Sequence, residues 1–112
     1  LLEWINLHAP NAEMILSVCT GALILAKAGL LENLAATTHF KSIDALREIA
    51  PNTKIYPEKR WVDNGKIIVS AGVSAGIDAS LYAVGKLLGE EIADETAYHI
   101  QYEHWFEIKG KE

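Results

Sequence analysis

The stretch Met14-Ile15-Leu16-Ser17-Val18-Cys19-Thr20-Gly21-Ala22 decides the fold. Met14 to Val18 is an apolar run of strand length, and Ala22 to Ala28 continues as a helix that is apolar on nearly every side. Cys19 therefore falls on a sharp strand-to-helix turn, the setting of a nucleophile elbow, with its sulfur at the carboxyl edge of a sheet. The first-turn N–H groups and the dipole of the following helix favour an anion there, either a thiolate or an oxyanion developing on a substrate. Gly21 permits close backbone packing, Thr20 sets a hydroxyl beside the sulfur, and the amides of Thr20 and Gly21 are the candidate oxyanion donors. The competing reading makes Cys19 a small buried hydrophobe.

Outward from this turn, helices and strands alternate. Upstream, Leu2, Ile5 and Ala9 mark a helix that stops at Pro10-Asn11. Downstream, Gly29 is placed to take a left-handed conformation past the end of the Ala22 to Ala28 helix, which is expected to be deeply buried. Ser42 is expected to cap a helix carrying Ile43, Leu46 and Ala50, ended by Pro51-Asn52, and Lys54 to Pro57 reads as a short edge strand. Arg60 to Val69 reads as a β-hairpin, with Asn64-Gly65 supplying both positive φ angles of a type I′ turn. Ile67-Ile68-Val69 is apolar on both faces, as in a strand covered on each side by helices. Gly72 and Gly76 bracket a turn into a helix carrying Ile77, Leu81, Val84 and Leu88, and a last helix is expected from about Ile92 to Phe106, with Ala93, Ala97 and Ile100 facing inward.

The sum is an α/β layered fold with a largely parallel sheet of three or four visible strands, few enough that further strands are expected upstream. The chain opens on Leu1-Leu2-Glu3-Trp4-Ile5, which looks cut from a longer chain, and closes on a solvated tail, Lys109-Gly110-Lys111-Glu112. With 112 residues, half of them hydrophobic, one domain is the expected content. Ten Lys plus Arg against fifteen Asp plus Glu give a net charge of -5, which offers no basic face for a nucleic acid. No apolar run is long enough to span a membrane. The single cysteine forbids an internal disulfide and fits a reducing compartment, so a cytoplasmic location is expected.

A second chemical candidate is His39 in Ala36-Thr37-Thr38-His39-Phe40, at the end of a short extended segment, where it can serve the thiol as base or orienter. His8, His99 and His104 read as structural; His99 and His104 stand five residues apart and off one helical face, which disfavours a metal pair. Asp78 reads as a helix-start carboxylate satisfying N–H groups rather than a catalytic acid.

Together, the Met14 to Ala22 block, Ala28-Gly29-Leu30-Leu31, Ala36-Thr37-Thr38-His39-Phe40 and Gly72-Val73-Ser74-Ala75-Gly76-Ile77-Asp78 resemble, in order and spacing, successive blocks of the ThiJ/PfpI superfamily with its class I glutamine amidotransferase-like fold. The resemblance implies a flavodoxin-like three-layer α/β sandwich with a mostly parallel sheet, of which residues 1–112 supply the carboxyl-terminal part, including the elbow and one hairpin. It implies Cys19 as the elbow nucleophile with His39 near it and Thr20 beside it; no cofactor or metal is expected. The acidic partner of the cysteine belongs to an amino-terminal half outside this chain, and a homodimer is implied as well.

Cys19-Thr20-Gly21 departs from the protease-like branch, where a histidine follows the cysteine, and is similar to the isonitrile hydratase branch and to the ligand-sensing domains of AraC-type regulators. The first expectation is accordingly a cysteine-dependent small-molecule enzyme, hydro-lyase or hydrolase-like, that adds water to an isonitrile. A sensor domain comes second, with glyoxalase- or deglycase-like chemistry on small carbonyls and a catalytically silent structural member as further readings.

Overall fold

Residues 1–110 are described in the structure, a computed structural model; Lys111 and Glu112 of the expected tail lie outside the described residues. The central sheet runs in the order β1 (Ile15–Ser17), β5 (Ile67–Ser70), β4 (Trp61–Asp63). β1 lies parallel to β5, with Ile15 opposite Ile67 and Ser17 opposite Val69, while β4 returns antiparallel, with Val62 opposite Val69. The sheet is therefore mixed rather than mostly parallel, because the hairpin contributes half of its pairings. A second, parallel pair joins β2 (Ala35–Ala36) to β3 (Lys54–Ile55).

Helices cover both faces of the central sheet. On one side α2 (Gly21–Lys27) and α3 (Ile43–Ile49) bring Ala22, Leu25 and Leu46 onto Val62, Ile67 and Val69. On the other side α4 (Val73–Leu88) lays Ala79 and Ala83 on Trp61 and Ile68. Behind it, Leu81 packs with Ala93 and Ala97 of α5 (Glu90–His99) and Trp105 of α6 (Trp105–Ile108). Ile67, Ile68 and Val69 are all buried, as a strand between two helical layers requires. α1 (Leu2–His8) buries none of its residues.

The hairpin forms where the sequence puts it, but its turn is one residue later. Asn64 is still in the ladder, donating its N–H to the Ile67 carbonyl, and positive φ occurs at Gly65 alone (95°), which is the type II′ pattern with Gly65-Lys66 as the loop. Asn64 has another task. Its side chain takes the Ala35 N–H on Oδ1 at 3.0 Å and donates Nδ2 to the Ala35 carbonyl at 2.7 Å, clipping the second sheet to the first. Next to it, burial pushes Asp63 up, but the hydrogen bonds from Lys86, Tyr82 and the Gly65 amide outweigh it and hold the carboxyl below its usual range.

Three helices depart from their expected outlines. α2 ends as expected in a Schellman arrangement, with Gly29 at φ 81° and the Leu30 N–H bonded back to Leu25, yet only Ala22 and Leu25 are buried in it and Ile24 is exposed. In α4 the face toward the sheet is the small-residue stripe Ala75, Ala79 and Ala83; Ile77 and Leu88 of the expected apolar stripe point outward. Close approach explains the choice. Gly76 lies inside the first turn of α4, and a Cβ there would stand 2.5 Å from Val18 Cγ1. The expected long last helix is two helices, broken by a second Schellman turn in which Gln101 takes φ 59° and the Tyr102 N–H reaches Ala97. Ile100 is consequently exposed, not inward. Nor is the tail fully solvated at its start, since Lys109 Nζ bonds Asp94 at 2.7 Å.

Asp78 corrects another expectation. It sits in the second turn of α4 with no solvent exposure, receiving Arg60 Nε and the Tyr102 hydroxyl, each at 2.6 Å. It ties β4's entry, α4 and the α5–α6 turn together instead of capping a helix. Burial, then the bond to Asp78, pushes the Tyr102 hydroxyl up to about 12.

Two predictions follow from this packing. Gly76→Ala should destabilise the fold by roughly 1–3 kcal/mol through overpacking, and Val18→Ala should recover part of the loss in the double variant, as read by urea denaturation. Full additivity of the two changes would contradict the contact. Tyr102 keeps its proton in the folded state until about pH 12, whereas an unfolded tyrosine releases it near 10, so its contribution is complete below pH 10 and disappears between those values. In an absorbance titration of the four tyrosines, Tyr102→Phe should remove the last phase; a titration without a late phase would refute the assignment.

Candidate functional site

β1 stops at Ser17 and α2 starts at Gly21, so the chain reverses through Val18-Cys19-Thr20. The reversal is made at Cys19, whose φ of 59° lies in the left-handed region. A side chain costs on the order of 1–2 kcal/mol there, so the surroundings must hold the conformation. They do so from several elements. The Cys19 N–H donates to the Ala71 carbonyl at 3.0 Å, just after β5, and the Cys19 carbonyl accepts Thr38 Oγ1–H at 2.7 Å from the segment after β2. The Gly21 N–H closes the turn onto the Val18 carbonyl at 3.0 Å, and its missing Cβ clears Ser17, which a Cβ would meet at 3.3 Å. Cys19 is left half-buried and Thr20 exposed.

His39 sits at the same edge, positioned by different contacts. It follows buried Thr37 and Thr38, and its Nδ1 accepts the Lys41 N–H at 3.1 Å, capping a 3-10 turn (Phe40–Ser42) that runs into α3. Ser42 stands at the N-cap of α3 as expected, but its hydroxyl makes no cap bond; the His39 ring caps only the 3-10 turn that precedes the helix. With Nδ1 as acceptor, the proton of the neutral ring is on Nε2. That edge faces Gly72, where a Cβ would lie 3.4 Å from Cδ2 and 4.0 Å from Nε2. The ring also stacks on Phe40, with centroids 4.6 Å apart.

Cys19 and His39 are thus brought to adjacent points on one strand exit, Cys19 on Ala71 and His39 beside Gly72, and no hydrogen bond joins them among the described residues. The connection between them is Thr38, which sequence reasoning did not single out. Its only signal was its place in Thr37-Thr38-His39, since a threonine hydroxyl turned onto a backbone carbonyl 19 residues away leaves no periodic trace. Ser17 Oγ and Thr37 Oγ1 flank the turn, buried and without partners among the described residues. Among those residues no group of three or more His, Cys, Asp or Glu is placed to hold a metal, and no helix is long and apolar enough to cross a membrane.

Chemically, the arrangement is a half-exposed thiol on a strained turn at the carboxyl end of a parallel strand pair, with an exposed hydroxyl next to it and an imidazole nearby. Comparison with known proteins gives a consistent lineage. A family model described as the DJ-1/PfpI family matches residues 1–85. The chain is similar to an isonitrile hydratase from Pseudomonas putida, 36% identical over 74 residues that make up 65% of this chain and 31% of that protein. It is also similar to the HTH-type transcriptional regulator CdhR from Pseudomonas aeruginosa, at 34% over 74 residues, 66% of this chain and 22% of the regulator. Among solved structures, a ThiJ/PfpI family protein from Pseudomonas syringae superposes with a TM-score of 0.81 at 35% identity, over 91% of this chain and 41% of that one. Drosophila melanogaster DJ-1beta shares the fold, with a TM-score of 0.77 at 21% identity over 89% of this chain and 52% of that one. The chain spans less than a third of the length of those two curated relatives. By the match over residues 1–85, it belongs to the DJ-1/PfpI family.

Proposed function

We propose that this chain is the carboxyl-terminal part of a flavodoxin-like DJ-1/PfpI domain whose Cys19 is the nucleophile of a small-molecule enzyme, with isonitrile hydration as the reaction. The observation that carries the reading is the left-handed backbone at Cys19. A non-glycine residue kept there by bonds from two other segments is a cost that a packing role does not require, and that a nucleophile presented on a strand-to-helix elbow does. The similarity to isonitrile hydratase supports the choice of reaction.

In this reading the Cys19 thiolate forms a bond to the electrophilic isonitrile carbon, and that carbon takes up a proton to give a thioformimidate. Water then adds to the same carbon, the carbon–sulfur bond breaks, and an N-substituted formamide leaves as the thiolate is restored. Thr20 lies next to the sulfur and its hydroxyl positions or protonates the adduct. The Gly21 amide is engaged with Val18, so the Thr20 amide is the first backbone donor open to a developing anion. His39, with its proton on the Nε2 side, orients substrate or water at the strand exit, and an acidic residue from an amino-terminal half does the remaining proton transfers. The whole protein is proposed to act as a homodimer in the cytoplasm.

A sensor domain is the second reading, favoured by the comparable similarity to CdhR and by the absence of a bond between Cys19 and His39 among the described residues. Turnover separates the two. With an alkyl isonitrile and the complete protein, formamide production should disappear in Cys19→Ser and fall roughly 10- to 1000-fold in Thr20→Ala with folding intact, the range for losing one positioned donor. Binding of the isonitrile without turnover in the unaltered protein would overturn the enzyme in favour of the sensor, and unchanged kinetics in Thr20→Ala would remove that residue from the mechanism.

A further inference from the structure

An open cavity of about 570 Å³ lies at the head of α4, within the size range of small-molecule sites. His39, Phe40, Pro57, Arg60, Gly72 and Ser74 are among its walls. We propose that it binds a small carboxylic acid with an aryl or alkyl body, and that Arg60 recognises the carboxylate.

The argument starts from the unused donors of Arg60. Its Nε and Nη2 both reach Asp78 Oδ2 at 2.6 Å, and Nη2 also donates to Ser74 Oγ at 3.1 Å. Three of the five guanidinium N–H groups are thereby used, and the two on Nη1 have no acceptor among the described residues. The side chain is 41% exposed, while Asp78 is fully buried and fixed from behind by Tyr102. The guanidinium is consequently held rigid, with the two Nη1 donors unused among the described residues. Ser74 accepts from Arg60 and keeps its own proton to give. One Nη1–H and the neighbouring Ser74 hydroxyl together offer a carboxylate two donors from different groups.

Charge and shape agree with this ligand class. Asp78 balances Arg60, but it lies behind the guanidinium, so the cation is the nearer charge to anything in the cavity. Glu58 and Lys59, both on the wall, carry opposite formal charges. α4 has no acidic residue in its first turn and adds a field of the same sign as Arg60. The cavity also has apolar walls, among them Phe40, 73% exposed and stacked on His39, and Pro57. An exposed aromatic ring in the same cavity as a guanidinium suits a molecule with one charged end and a flat or greasy body. The site needs no chemistry at Cys19.

Phenylacetate is the test ligand and phenylacetamide its uncharged counterpart, each titrated into the full-length protein and followed by calorimetry and backbone amide NMR. The acid should bind at least about tenfold more tightly than the amide and shift the Gly72 and Ser74 resonances. Ser74→Ala should weaken the acid by roughly 3- to 10-fold. Arg60→Lys, which keeps a cation for Asp78 but lacks the Nη1 donors, should abolish the preference; if that variant does not fold, the acid and amide pair in the unaltered protein and in Ser74→Ala decides. Cys19→Ser should bind phenylacetate normally, which separates this site from the thiol chemistry. Equal affinity for acid and amide, shifts confined to another face, or loss of binding in Cys19→Ser would overturn the proposal.

Discussion

Everything at the carboxyl edge of the sheet depends on keeping Cys19 in a left-handed conformation. The turn cannot hold itself. Its N–H is taken by Ala71 at the exit of β5, and its carbonyl by the Thr38 hydroxyl after β2, so two segments far away in sequence must be in place before the reversal is satisfied. Gly76 then allows α4 to come down on Val18, one residue before the cysteine. The parallel register of β1 on β5 sets the height of the turn, and the hairpin register of β4 on β5 sets the height of Arg60. A shift of one residue in either pairing would turn every side chain of that strand to the other face and dismantle both sites.

Much of this was legible in the sequence because it is local. The strand-to-helix turn at Cys19, the helix end at Gly29 and the existence of the hairpin each follow from a few neighbouring residues, and each is present. The misplaced features share a different cause. The hairpin turn moved because Asn64 spends its side chain on Ala35, and the last helix broke because Gln101 accepts a conformation usually left to glycine. The buried face of α4 is built from alanines because a close approach to the sheet rewards small residues over large ones. Asp78 serves no helix start: its partners, Arg60 and Tyr102, are 18 and 24 residues away and carry no mutual spacing signal.

The site divides into a thiol region and a cationic region that share His39 and the first residues of α4. Thr38 and Gly72 link them structurally, the first by holding the Cys19 carbonyl and the second by leaving room for the His39 ring. Val18, Val73 and Ile77, on the thiol turn and in the first turns of α4, are exposed.

The most direct measurement is the rate of iodoacetamide alkylation at Cys19 in the complete folded protein, followed by mass spectrometry and set against its global unfolding rate. The thiol of a strained, outward turn should be alkylated in the native state, well before unfolding, and Thr38→Val, which removes the bond to the Cys19 carbonyl, should change that native rate while the protein remains folded. Labelling that appears only as the protein unfolds, at the same rate in both proteins, would make Cys19 a packing residue and contradict the account.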